Sequence, residues 1–130
     1  MNDMREKGKA RIEIIVTAAD TAEVLGSGLL PVLATPRVVA LMEETACAAI
    51  AEDIPTGKNT VGTRIDIEHL SATPVGMRVW AEATLASAEG RAYTFQIEAF
   101  DEAGLIARAT HTRFLVDTER FMQKTSAKKP

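Results

Sequence analysis

Cysteine is nearly missing from this chain: among 130 residues only Cys47 carries a thiol. No disulfide can close within it, and nothing points to an oxidising compartment. No apolar run approaches the roughly 20 residues needed to span a bilayer. The first nine residues, Met1 to Lys9, are polar and lack the apolar core of a signal peptide, so a cytoplasmic location is expected. There is no internal repeat and no low-complexity segment. No basic stripe is present either: net charge is −3 and the cations are scattered, which argues against nucleic acid as a partner. Lys124, Lys128 and Lys129 cluster only at the end, as a solvated tail.

What is there is an ordinary globular composition, 46% hydrophobic and 25% charged, of a length that makes one domain over residues 1–130 with a core spanning about residues 10–116. Ile12, Ile14 and Val16 alternate with polar neighbours over Ala10 to Thr17, which predicts a half-buried strand. Asp20 to Leu25 reads as a short helical turn broken by Gly26-Ser27-Gly28, and Leu29 to Ala34, interrupted by Pro31, as a loop. Thr35 then serves as a helix N-cap with Pro36 at the first helical position. Val38, Val39, Leu41, Met42, Ala46, Ala49 and Ile50 form an apolar stripe at helical spacing, and Asp53, Pro55 and Gly57 end it.

From Thr60 the period becomes two. Val61, Thr63, Ile65, Ile67 and His69 are expected on one strand face, with Arg64, Asp66 and Glu68 on the other. Strands follow over Met77 to Ala86, Arg91 to Phe100 and Leu105 to Val116, joined by turns at Glu89-Gly90 and Asp101 to Gly104. Asp117 caps a short closing helix through Gln123. One strand, one long helix and four hairpin-linked strands predict an α+β chain, an antiparallel sheet covering one helix.

Several residues break this apolar phase. At 100° per residue Glu43 lies at the margin of the helical stripe, whereas Glu44 faces water. A carboxylate at a core margin is desolvated and its pKa raised, which suits a general base; the alternative is a glutamate snorkelling to solvent. His69 continues an apolar strand face, either as a group able to accept and donate protons or as a strand-end histidine bonded to backbone. Thr35 is a cap by its position. It also stands where helix N–H groups favour developing negative charge. Arg113 and His111 run in phase with Leu105, Ala107, Ala109 and Leu115, and an arginine in that register needs a carboxylate or phosphate, or else lies at an edge or interface. Gly62 marks either close approach by a ligand or a bulge. Cys47 has no His or Cys at metal spacing and receives no role.

The stretch Leu33-Ala34-Thr35-Pro36-Arg37-Val38-Val39-Ala40-Leu41-Met42-Glu43 resembles the helix start of fluoroacetyl-CoA thioesterase-like proteins. Val61-Gly62-Thr63-Arg64-Ile65-Asp66-Ile67-Glu68-His69, followed by Leu70-Ser71-Ala72-Thr73-Pro74-Val75-Gly76, resembles the same family. The resemblance implies a hot-dog fold and an acyl-CoA thioesterase whose catalytic residues are Thr35, Glu43 and His69. It aligns Gly62 and Arg113 with the family's substrate-site glycine and arginine, and Leu29 with its gating loop. Glu43 would activate water or attack the thioester itself. His69 would carry protons, and the helix N-terminus would hold the oxyanion. No metal or redox cofactor is implied, coenzyme A being part of the substrate, and the site is expected between two protomers of a homodimer or higher homo-oligomer.

One departure stands out. The segment Gly26 to Pro31 has Leu29 and Leu30 where the fluoroacetyl-specific enzyme has phenylalanines, so a different or broader short-chain acyl group is expected. Two other readings remain in view. One is a hot-dog hydratase or dehydratase, though its histidine–aspartate motif is not found. The other is a non-catalytic acyl-CoA-binding module.

Overall fold

The computed structural model describes residues 7–130; residues 1–6 of the polar N-terminal stretch lie outside it. Period-two segments form five strands: β1 (Lys9–Ile15), β2 (Lys58–His69), β3 (Arg78–Glu89), β4 (Ala92–Asp101) and β5 (Gly104–Asp117). They make one antiparallel sheet in the order β1-β3-β4-β5-β2. β3, β4 and β5 are neighbours, as their short turns require, whereas β2, expected to be hairpin-linked to β3, does not pair with it. The chain leaves β1 through a long helical connection and re-enters the sheet as β2 at the opposite edge.

That connection holds a short helix, α1 (Ala22–Leu25), and the long helix α2 (Thr35–Ile50). Gly26 closes α1 with φ of 81°, a left-handed conformation open to glycine. On α2 the expected stripe is the buried one: Val38, Leu41, Met42, Ala46, Ala49 and Ile50 are all covered. They pack on β1 and β3, with smaller contacts to β4 and β2. Phe95, Ile97, Val79 and Ala81 supply the facing layer of the core. Each large side chain buried there stabilises the fold by roughly 1.5–3 kcal/mol. A third helix, α3 (Thr118–Ser126), closes the chain, its first turn capped by Asp117, whose Oδ1 accepts from Arg120 N–H at 3.1 Å.

Two further expectations need correction. Thr35 is not the N-cap of α2. Ala34 holds that position in extended geometry (φ −76°, ψ 142°), and Thr35 is the first helical residue. The Ala34 carbonyl accepts the first helical bonds, from Arg37 and Val38, while its N–H is drawn to the Asp20 carbonyl at 2.9 Å. The threonine hydroxyl is therefore free for another partner. The second correction concerns β2. Pairing to β5 slips between Gly62 and Arg64, leaving Thr63 as a bulge. The extra residue reverses the alternation, so Gly62, and with it Thr60, joins Ile65, Ile67 and His69 on the helix-facing side, and Val61 and Thr63 do not. A similar slip in β5 leaves Leu105 exposed and Ile106 buried, with Ala107, Ala109, His111 and Arg113 facing inward.

The loop before α2 is pinned at its base. Asp20 accepts from Arg37 Nε at 2.9 Å and from the Thr17 backbone and hydroxyl. Burial alone would raise the Asp20 carboxyl. The Thr17 bonds and the Arg37 charge outweigh it and hold the group below the ordinary aspartate value. The start of α2 is thus tied to the end of β1 by charge-assisted bonds.

Candidate active site

Two clusters form around α2, one at its first turn and one two turns further on. At the first turn the Thr35 hydroxyl and His69 Nδ1 share a hydrogen bond of 2.8 Å. Helix geometry places Thr35 Oγ1 at the positive end of the α2 dipole, and β2 ends with His69 beside it. Both residues line a cavity of about 260 Å³ whose other walls include Ser27, Val32, Leu33 and Ser71. His69 Nε2 is shielded from solvent and has no hydrogen-bond partner among the described residues. A buried nitrogen left without a partner is costly.

The second cluster centres on Arg113, which is 7% exposed. Its Nη1 donates to Glu43 Oε2 at 3.3 Å and lies 3.2 Å from His111 Nε2. Its Nε donates to the Thr60 hydroxyl at 2.9 Å, and its Nη2 to the Thr60 carbonyl at 3.0 Å. The carboxylate expected beside Arg113 is therefore Glu43. The Glu43 side chain is 40% exposed and ion-paired, so its surroundings are those of a positioned charge at a rim and not of a carboxylate desolvated by the core. Glu44 faces solvent, as the helical phase requires. Gly62 completes the cluster. A methyl group placed on its Cα would lie 2.6 Å from Glu43 Oε2 and 3.2 Å from both Arg113 Nη1 and His111 Cε1.

The predicted residues thus fall into two groups, Thr35 with His69 and Glu43 with Gly62 and Arg113. Eight residues separate Thr35 from Glu43, which at 1.5 Å per residue sets them about 12 Å apart along the helix. Leu29 stands 91% exposed, outside the cavity lining. Thr60 and the part played by His111 are the contributions that strand periodicity did not disclose. Thr60 is two residues from Gly62, and the glycine interrupting the strand was the available sign that the faces change there. Among the described residues no group of His, Cys, Asp and Glu is arranged to hold a metal ion, and no helix is long and apolar enough to cross a membrane.

Both histidines are shifted towards the neutral form. Burial lowers His69, with the Ser71 backbone working weakly the other way. Burial also lowers His111; the Arg64 carbonyl opposes it, Arg113 adds to it, and Glu43 opposes it. Both imidazoles are expected neutral at pH 7, with NMR titration midpoints below the ordinary value of about 6.5. Because the folded state then binds fewer protons than the unfolded chain, stability should fall as pH drops from about 6.5 towards those lowered midpoints. Imidazolium signals persisting at pH 7 would contradict this.

Comparison with known proteins gives a consistent picture. Residues 16–119 match the sequence model of the family described as fluoroacetyl-CoA-specific thioesterase. A fluoroacetyl-CoA thioesterase of Streptantibioticus cattleyicolor is 36% identical over 99 residues, covering 76% of this chain and 71% of that protein. A solved structure of the fluoroacetyl-CoA thioesterase superposes with a TM-score of 0.90 at 30% identity, over 99% of this chain and 100% of the other. A thioesterase superfamily member from Thermus thermophilus gives a TM-score of 0.87 at 26% identity, over 99% and 96%.

Proposed function

Since the chain belongs to the fluoroacetyl-CoA-specific thioesterase family and is a hot-dog acyl-CoA thioesterase, we propose that it hydrolyses a short-chain acyl-CoA at a site shared by two protomers. Thr35 and His69 of one protomer would meet Glu43 and Arg113 of its partner. The observation that carries this reading is the Thr35–His69 hydrogen bond at the N-terminus of α2, beside an open cavity of about 260 Å³. A single chain holds Glu43 about 12 Å along the helix from Thr35, too far for both to touch one thioester. β2 lies at an open edge of the sheet, and a two-fold pairing there protects the edge and brings two copies together.

In this site the thioester carbonyl lies at the start of α2. Glu43 takes a proton from water as the water oxygen attacks the carbonyl carbon. The tetrahedral oxyanion is stabilised by the first-turn N–H groups and the Thr35 hydroxyl. Collapse breaks the C–S bond, and the departing thiolate receives a proton through His69. Arg113 engages Glu43 at Oε2 and holds the carboxylate in place. Leu29, on the loop that supplies Ser27 and Val32 to the cavity, would contact the acyl group. With no phenylalanine from Gly26 to Pro31, selectivity for a fluorinated acetyl group is not built in here, and a broader set of short acyl groups fits better.

Thiol release from a panel of short acyl-CoAs, wild type against Glu43→Ala, tests this. Hydrolysis of at least one member, lowered by about 10²-fold or more in the variant, is the expected result. No hydrolysis by either protein, with tight acyl-CoA binding untouched by the substitution, would favour a binding module.

A further inference from the structure

The buried imidazole of His111 lies outside the proposed catalytic trio, yet its two nitrogens have unambiguous neighbours. Nδ1 lies 2.7 Å from the Arg64 carbonyl, which can only accept, so Nδ1 carries the hydrogen. Nε2 lies 3.2 Å from Arg113 Nη1, which can only donate, so Nε2 is bare and accepts. The two hydrogens of Nη1 are then divided, one to His111 and one to Glu43 Oε2. Thr60 takes Nε and Nη2, so four of the five guanidinium donors are fixed and the plane of the fork is set.

We propose that His111 is a positioning residue for Glu43, acting through Arg113. This rests on Glu43 being the catalytic carboxylate. The bulge at Thr63 aids the arrangement, since it turns Gly62 inward and leaves room for the carboxylate against His111 and Arg113. The imidazole is held on its other sides by Phe95 of β4, with ring centroids 6.2 Å apart, and by the Arg64 backbone of β2. Without the bare nitrogen, Nη1 loses one of its two acceptors, and the guanidinium can rotate away from the orientation in which it holds Glu43. Thr35 and His69, at the cavity, share no hydrogen bond with this chain of residues.

The experiment compares steady-state hydrolysis of the best acyl-CoA by wild type, His111→Phe, His111→Gln, Arg113→Met, His111→Phe with Arg113→Met, and Glu43→Gln. His111→Phe should lower kcat about 10- to 100-fold with KM within about threefold. His111→Gln, whose amide oxygen can accept the same Nη1 hydrogen, should recover most of that loss. In the Arg113→Met background, adding His111→Phe should cost less than about twofold, because the two act as one unit. A full-sized loss in that background, a glutamine variant no better than phenylalanine, or wild-type kcat in His111→Phe would each overturn the proposal. Glu43→Gln at the wild-type rate would remove the reading of Glu43 itself, and the inference with it. An inactive Glu43→Gln beside an unimpaired His111→Phe would sink the inference alone. Should the phenylalanine variant fail to fold, ¹⁵N spectra of the wild-type imidazoles decide: a bare Nε2 and protonated Nδ1 at His111 support the assignment, and the opposite tautomer overturns it. With only two histidines in the chain, a His69→Gln spectrum assigns them.

Discussion

Glu43→Ala and His69→Ala proteins, each inactive alone, are expected to regain thioester hydrolysis when their subunits are combined in one dimer. The reason is the separation along α2. Thr35 and His69 are joined by a 2.8 Å bond at the first turn, and Glu43 is joined to Arg113 more than two turns away. If each catalytic site takes Thr35 and His69 from one protomer and Glu43 from the other, a mixed dimer has one site with both lesions and one with none. Random exchange makes half of the dimers mixed, with one of two sites complete, so about a quarter of wild-type activity should return. Co-expression of the two variants with different affinity tags, followed by tandem purification, isolates the mixed species, which with one complete site of two should show about half of wild-type activity. If the mixed dimer stays inactive, all three residues must act within one chain, and the helix would have to deform to let them.

The second large effect is expected from the smallest side-chain change. Gly62→Ala should lower kcat by roughly 10- to 100-fold while moving the thermal midpoint by no more than a few degrees. The added methyl would stand 2.6 Å from Glu43 Oε2, a distance no carbon–oxygen contact tolerates. The carboxylate is at the end of a flexible side chain, so it moves aside cheaply and the fold survives. Its bond to Arg113 does not survive in the same geometry, and the reacting groups are displaced by a distance that costs rate steeply. Gly62 lies outside the left-handed region, so alanine suffers no backbone strain, and a loss of activity reads on the contacts of the added methyl with Glu43 and with Arg113 and His111 beside it. A Gly62→Ala protein with wild-type kcat would show that Glu43 is placed by something other than this contact.

Most of the fold is legible in the chain. The apolar stripe of α2, the hairpin turns at Gly90 and at Asp101 to Gly104, and the Asp117 cap are all local signals, and each element forms within a few residues of where the pattern puts it. Helical phase also separated Glu43 at the stripe margin from Glu44 in solvent. The misreadings share a cause. Thr35 has the residue type of a cap, but its hydroxyl is taken by a histidine 34 positions away, and no local propensity reports a partner that distant. The faces of β2 were assigned by strict alternation, which a single bulged residue reverses. Arg113 announced a need for an acceptor without saying which one. That answer requires the pairing of β2 with β5, which carries Thr60 and Gly62 to it, and the packing of α2 over both.

The bulge at Thr63 also sets how the site can vary within a family. The two halves of β2 have opposite parity: even-numbered residues face the helix before it and odd-numbered ones after it. A chain that kept every residue but ran this strand without the bulge would set Thr63 opposite Arg113, turn its glycine and Thr60 to solvent and bring Val61 to the inner face. Residue identity would then be preserved while the site was dismantled. Loss of Thr63 itself would leave Gly62 opposite Arg113, so for this strand the pairing register, and not the residue count alone, decides which side chains the guanidinium meets.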